Sequence, residues 1–125
     1  MKKFAYAVVA VAFVVTAVIT RAQDPVKVDP KHYKVEFEND QVRVLRVQYG
    51  PGDKSVMHEH PNSVAVFLTD HTVKFTYPEG KSEEVTAKAG QARWTPRGPH
   101  LPENIGDKPL ELVLVELKGK PAATK

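Results

Sequence analysis

Cysteine is absent from the 125 residues. Its absence excludes a disulfide framework, a thiol nucleophile and an anchor built on a lipid-modified cysteine. Tryptophan occurs once, at Trp94. No internal repeat is visible, and after residue 22 no segment carries a convincing helical period. An excess of basic charge is also missing where it would matter. The 18 basic residues include Lys2, Lys3 and Arg21 of the N-terminal segment, and without these three, 15 remain against 15 acidic residues. A near-neutral domain of this kind gives no basic patch for nucleic acid.

One long apolar run is present, from Phe4 to Thr20, behind the basic start Met1-Lys2-Lys3 and ahead of Thr20-Arg21-Ala22. This layout predicts a secretory signal over residues 1–22, cleaved after Ala22, with an uncleaved N-terminal membrane anchor as the alternative. The expected location is periplasmic or secreted, with no membrane contact after cleavage. Residues 23–31 contain Asp24-Pro25 and Asp29-Pro30 and read as a linker. A single domain is expected over 32–118 and a frayed tail over 119–125.

From His32 onward the pattern is β. Tyr33, Val35 and Phe37 alternate with charged neighbours, and 41–49 changes phase between Val44 and Leu45, which suggests a bulge. Residues 63–69 read as a strand buried on both faces. Further strands are expected at 71–77, 82–87, 91–95 and 109–117, with turns at Gly, Pro and Asp between them. Short strands at this spacing define an all-β barrel or sandwich.

Three histidines stand out. His58 and His60 lie two apart, so a strand would project both imidazoles from one face, leaving Glu59 on the other. His100 follows some forty residues later. Neutral imidazole is the commonest protein metal ligand, and three of them can cap a divalent metal and leave positions open.

The residues around the histidines resemble the two motifs of the cupin superfamily. Gly52, His58 and His60 match the first in type and spacing; Gly90, Pro96, Gly98, His100 and Asn104 match the second, with one residue fewer between Gly98 and His100. The resemblance implies a small single-domain cupin β-barrel, or jelly roll, with a site formed by His58, His60 and His100. The first motif's Glu is missing, because Val64 and Ala65 stand where it should fall. Three neutral imidazoles would leave the metal's full positive charge in the site and favour anionic ligands. Three-histidine cupin sites occur in thiol and diketone dioxygenases, so the resemblance implies Fe(II) first, with Mn, Ni, Cu or Zn as alternatives.

The expected function is that of an exported metal-binding cupin, with oxygenase chemistry on a small anionic or enolisable molecule leading. A non-catalytic metal- or ligand-binding module is the alternative. Glu103 is the candidate acid or base, His71 a candidate extra ligand, and Phe67, Phe75, Tyr77 and Trp94 the candidate pocket wall. Gly52, Gly90, Pro96, Gly98 and Asn104 read as structural. A homodimer is expected, because about a hundred residues give one core only a modest margin.

Overall fold

The computed structural model describes residues 10, 12 and 23–119. The expected signal segment and most of the expected tail lie outside the described residues. Nine strands follow one short helix: α1 Pro25–Val28, β1 Tyr33–Glu38, β2 Val42–Tyr49, β3 His58–His60, β4 Ser63–Phe67, β5 His71–Thr76, β6 Ser82–Ala87, β7 Ala92–Thr95, β8 Gly98–Asn104 and β9 Leu110–Leu117. They form two antiparallel sheets, in the orders β1-β2-β9-β4-β7 and β3-β8-β5-β6. This is the jelly-roll form of the expected all-β barrel.

The alternation that marked the strands also decides what they bury. Leu45, Val47 and Tyr49 of β2 face inward with Leu110 and Leu114 of β9, Ala65 and Phe67 of β4, and Val73 of β5. The apolar pattern shifts between Val44 and Leu45 because Arg43 takes an inward position, but the strand itself does not bulge: β2 pairs regularly with β9 along its whole length. The irregularity sits in β1, between Val35 and Phe37. One extra residue there turns Phe37 outward beside Val44, leaving it 55% exposed. The strand at 63–67 is not buried on both faces: Ser63, Ala65 and Phe67 are buried while Val64 and Val66 are only half-buried.

Two elements depart from the sequence-based expectation. Residues 23–31 form a packed strap, not a linker. Asp24 caps α1 by accepting from the Val26 amide at 3.0 Å, and Pro25 takes the first helical position and is fully buried. The Asp-Pro pair was thus a helix start. At the start of this strap the Gln23 carbonyl accepts from the Glu59 amide at 3.0 Å, which covers the free edge of β3. The second departure is β8, which contains Pro99 and Pro102 yet lies between β3 and β5. Proline normally argues against an interior strand. Gly98, at φ +147°, sets the conformation from which β8 begins opposite His60.

No helix of the described residues is long and apolar enough to cross a membrane.

Candidate metal centre

β3 and β8 pair so that His58 lies directly opposite His100 and His60 opposite Gly98. The three rings converge, with centroid separations of 4.8 Å for His58–His60, 4.9 Å for His58–His100 and 5.3 Å for His60–His100. One nitrogen from each lies within 4.8 Å of the others. Nitrogens bound to one ion at roughly 2.1 Å stand no more than about 4.2 Å apart, so a small closure brings all three onto a common ion.

The other nitrogens are committed elsewhere. His58 Nδ1 donates to the Val56 carbonyl at 2.8 Å, and the Ser55 hydroxyl lies 3.3 Å from it. His60 Nδ1 donates to Glu116 Oε2 at 2.6 Å. These bonds fix the tautomers and turn each Nε2 toward the cluster. His58 Nε2 and His100 Nε2 are buried with no hydrogen-bond partner. Buried polar atoms are rarely left unpaired, and two that converge with a third imidazole fit a divalent transition metal.

Burial, followed by the neighbouring His60, pushes the His58 pKa down to about 4. Burial, with His60 and His58 beside it, pushes His100 down to about 2. Both rings are therefore neutral and ready to ligate at neutral pH. The unfolded chain binds protons at these groups near pH 6.5, whereas the folded chain does not until pH is far lower. Stability of the metal-free protein should consequently fall as pH drops from 6.5 toward 4. Thermal melts in the presence of chelator check this: the parent should lose more between pH 7 and pH 5 than a His100→Leu variant.

Behind the histidines lies a polar network that the motifs did not reveal. Glu116, on the inward face of β9, is 2% exposed and also accepts from Arg43 Nε at 2.6 Å. Arg43 in turn holds both oxygens of Asp24 at 2.9 Å. Burial alone would raise the Glu116 carboxyl, but the bonds from His60 and Arg43 outweigh it and keep it below the usual carboxylate range. On the other side, Ser55 donates to Asp29 at 2.6 Å, and Asp29 and Asp53 grip the two nitrogens of His32. The strap thus reaches two of the histidines, through Arg43–Glu116 to His60 and through Ser55 to His58. The carboxylate missing from the first motif has a counterpart one atom layer farther out, on a different strand.

A cavity of about 550 Å³ opens beside the histidines, lined by His60 and His100 as well as Phe67, Phe75, Leu112 and Leu114. Phe75 stacks on His100, with centroids 5.0 Å apart. Tyr77 stands at the rim, its hydroxyl donating to Glu83. Trp94 borders the rim but, as the partner of Val64, lies on the outer side of its sheet and is 58% exposed, so it is not part of the expected pocket wall. Pro96 lines the same edge. Asn104 is buried and structural: its amide donates to the Gly50 and Lys108 carbonyls while its oxygen accepts from the Gly106 amide. Gly52 and Gly90 adopt positive φ in their turns.

Two expected participants are not brought to the centre. Glu103 alternates away from His100 on β8, with Lys74 and Lys54 as its strand neighbours, and does not line the cavity. His71 lies at the opposite end of β5 from the part that pairs beside His100. It hydrogen-bonds the Thr69 carbonyl at 3.0 Å and packs on Phe67. Among the described residues, the cluster whose ligand atoms lie within 4.8 Å of one another contains His58, His60 and His100 and neither of these two.

A jelly roll with three convergent histidines on β3 and β8 defines a cupin-type centre. The chain belongs to the cupin domain family, whose profile matches residues 45–116. A cupin domain protein from Bordetella pertussis is 27% identical with a TM-score of 0.65, over 70% of this chain and 92% of that one. A double-stranded β-helix protein from Klebsiella pneumoniae is 22% identical with a TM-score of 0.57, over 70% and 76%. A polyketide cyclase from Streptomyces resistomycificus shares the fold at 19% identity and a TM-score of 0.51, over 71% and 66%. A search of curated proteins finds no match.

Proposed function

We propose that this chain is an exported cupin holding one divalent transition metal, Fe(II) before Mn, Ni, Cu or Zn, on His58, His60 and His100. Its leading activity is oxygenation of a small anionic or enolisable molecule. The observation that carries the metal reading is the pair of buried, partnerless Nε2 atoms on His58 and His100. A bound metal would supply positive charge that stabilises a carboxylate or enolate on its open side. The chain's own residues do the rest: Val56 and Glu116 orient two of the imidazoles, and Phe75 with the β9 leucines keeps water from the cavity wall. Export is supported by the layout of residues 1–22.

A second reading, a non-catalytic module that holds a metal and a small ligand, is favoured by one observation. The carboxylates lining the cavity, Glu79 and Glu83, are both exposed, and Glu103 faces away. Oxygen uptake by the iron-loaded chain with thiol and diketone substrates separates the two. An oxygenase consumes oxygen and loses that activity in His100→Ala; a binding module consumes none.

The outer face of the five-stranded sheet supports a homodimer. One row of cross-strand partners, Phe37–Val44–Val115–Val64–Trp94, crosses all five strands and is apolar throughout. Its two ends, Phe37 and Trp94, are more than half exposed. A self-complementary patch of this kind suits a two-fold interface. Light scattering should give twice the chain mass for the parent and the single mass for Val64→Lys; a monomeric parent refutes the pairing.

A further inference from the structure

Arg93 lies on the inward side of β7, and its guanidinium carbon stands 5.7 Å from the centroid of the Phe67 ring, on the cavity wall. One of its terminal nitrogens donates to the Thr86 carbonyl across the seam between β7 and β6. Among the described residues it has no carboxylate partner, unlike Arg43 and Arg46, which are each held by two. Arg93 is exposed where it borders the cavity, so its remaining donors are open to a ligand. A cation stationed on an aromatic face with donors to spare is suited to a carboxylate or a similar planar anion.

Strand register gives its distance from the metal centre. Glu116, which holds His60, pairs with Ser63, whereas the Arg93 guanidinium covers Phe67, four residues along the same strand. Four residues of extended chain span roughly 13 Å, so the cation and the three histidines stand on the order of 10 Å apart. Between them the wall is Phe75, Leu112, Leu114 and Val73. Glu79 and Glu83 line the lip beside Tyr77 and disfavour an anion there; Arg93 and Arg97 both border the cavity, and Arg93 is the one placed over an aromatic ring.

We infer that the cavity takes an elongated dianion, with one anionic end at the three-histidine centre, an apolar body along the aromatic and leucine wall, and the other anionic end on Arg93. This rests on the reading of His58, His60 and His100 as a metal centre, and it narrows the small anionic molecule of that reading to one with two charged ends about 10 Å apart.

The test uses the full chain loaded with Zn(II), a redox-inert ion, and calorimetric titration with succinate, decanoate and sebacate. Zinc stoichiometry is measured first and separately. Sebacate should bind about fivefold tighter than decanoate, the factor expected of one exposed ion pair, and succinate should be weakest. Arg93→Gln should remove the advantage of sebacate while leaving decanoate within about twofold, and Arg93→Lys should keep part of it. Equal affinity for sebacate and decanoate, or an equal loss of both in Arg93→Gln, overturns the inference alone. A chain that takes up no zinc overturns the metal reading and the inference together.

Discussion

Replacing Glu116 with alanine is expected to destabilise the protein by about 3–5 kcal/mol, because it strips the partner from two groups at once. Arg43 would keep a half-buried guanidinium bonded only to Asp24, and His60 Nδ1 would lose its sole acceptor. Glu116→Gln separates the two roles. The amide keeps the volume but can donate as well as accept, so it holds the His60 tautomer less firmly. Metal affinity should fall about 10–100-fold even where the fold survives. Competition titration with a chromophoric chelator reads the affinity, and urea unfolding of the metal-free chain reads the stability. Unchanged metal affinity in Glu116→Gln would mean that the carboxylate serves packing and not the centre.

The second large effect changes sign with metal. In the metal-free chain, His58 and His100 each bury an unpaired nitrogen. An unsatisfied buried polar atom costs about 1–3 kcal/mol, so His100→Leu should make the metal-free protein more stable. With metal the order reverses. At a free metal concentration a thousand times the dissociation constant, the parent gains about 4 kcal/mol, which for a domain of this size raises Tm by on the order of 15 °C. The variant should gain nothing. Melting both proteins with chelator and then with excess Zn(II) gives four temperatures whose crossing marks a binding site that is maintained against stability. If His100→Leu were less stable in both conditions, His100 would be an ordinary core residue.

Much of the barrel was legible because its strands are half-buried and so alternate. Leu45, Val47 and Tyr49 share one buried face as their spacing suggested, and β6 has the bounds that its polar pattern suggested. The three histidines were legible for the same reason, since a two-residue spacing on a strand puts both rings on one side. What escaped reading is what breaks a local rule. Pro99 and Pro102 hid β8, since proline gives no ladder donor. Four residues of α1 are too few to show a period, and only the Asp24-Pro25 start announced it. Glu103 sat close to His100 in sequence, yet an odd spacing along a strand sends it to the other face.

Glu116 was within reach. Leu110, Leu112 and Leu114 set an inward parity along β9 that ends on a carboxylate, and Leu45, Val47 and Tyr49 set one along β2 that includes Arg43. Opposite charges at core-facing positions of two strands are expensive unless they serve each other or a site. Which strands pair could not be seen from either pattern alone, so the match stayed hidden until Arg43 was found opposite Glu116.

The central claim is that His58, His60 and His100 hold a metal. Elemental mass spectrometry of the full chain, purified without oxygen and without a His tag, tests it directly beside a His58→Ala/His100→Ala double variant. About one equivalent of a divalent transition metal is expected in the parent and none in the variant. A parent that comes out empty and cannot be reloaded would contradict the account.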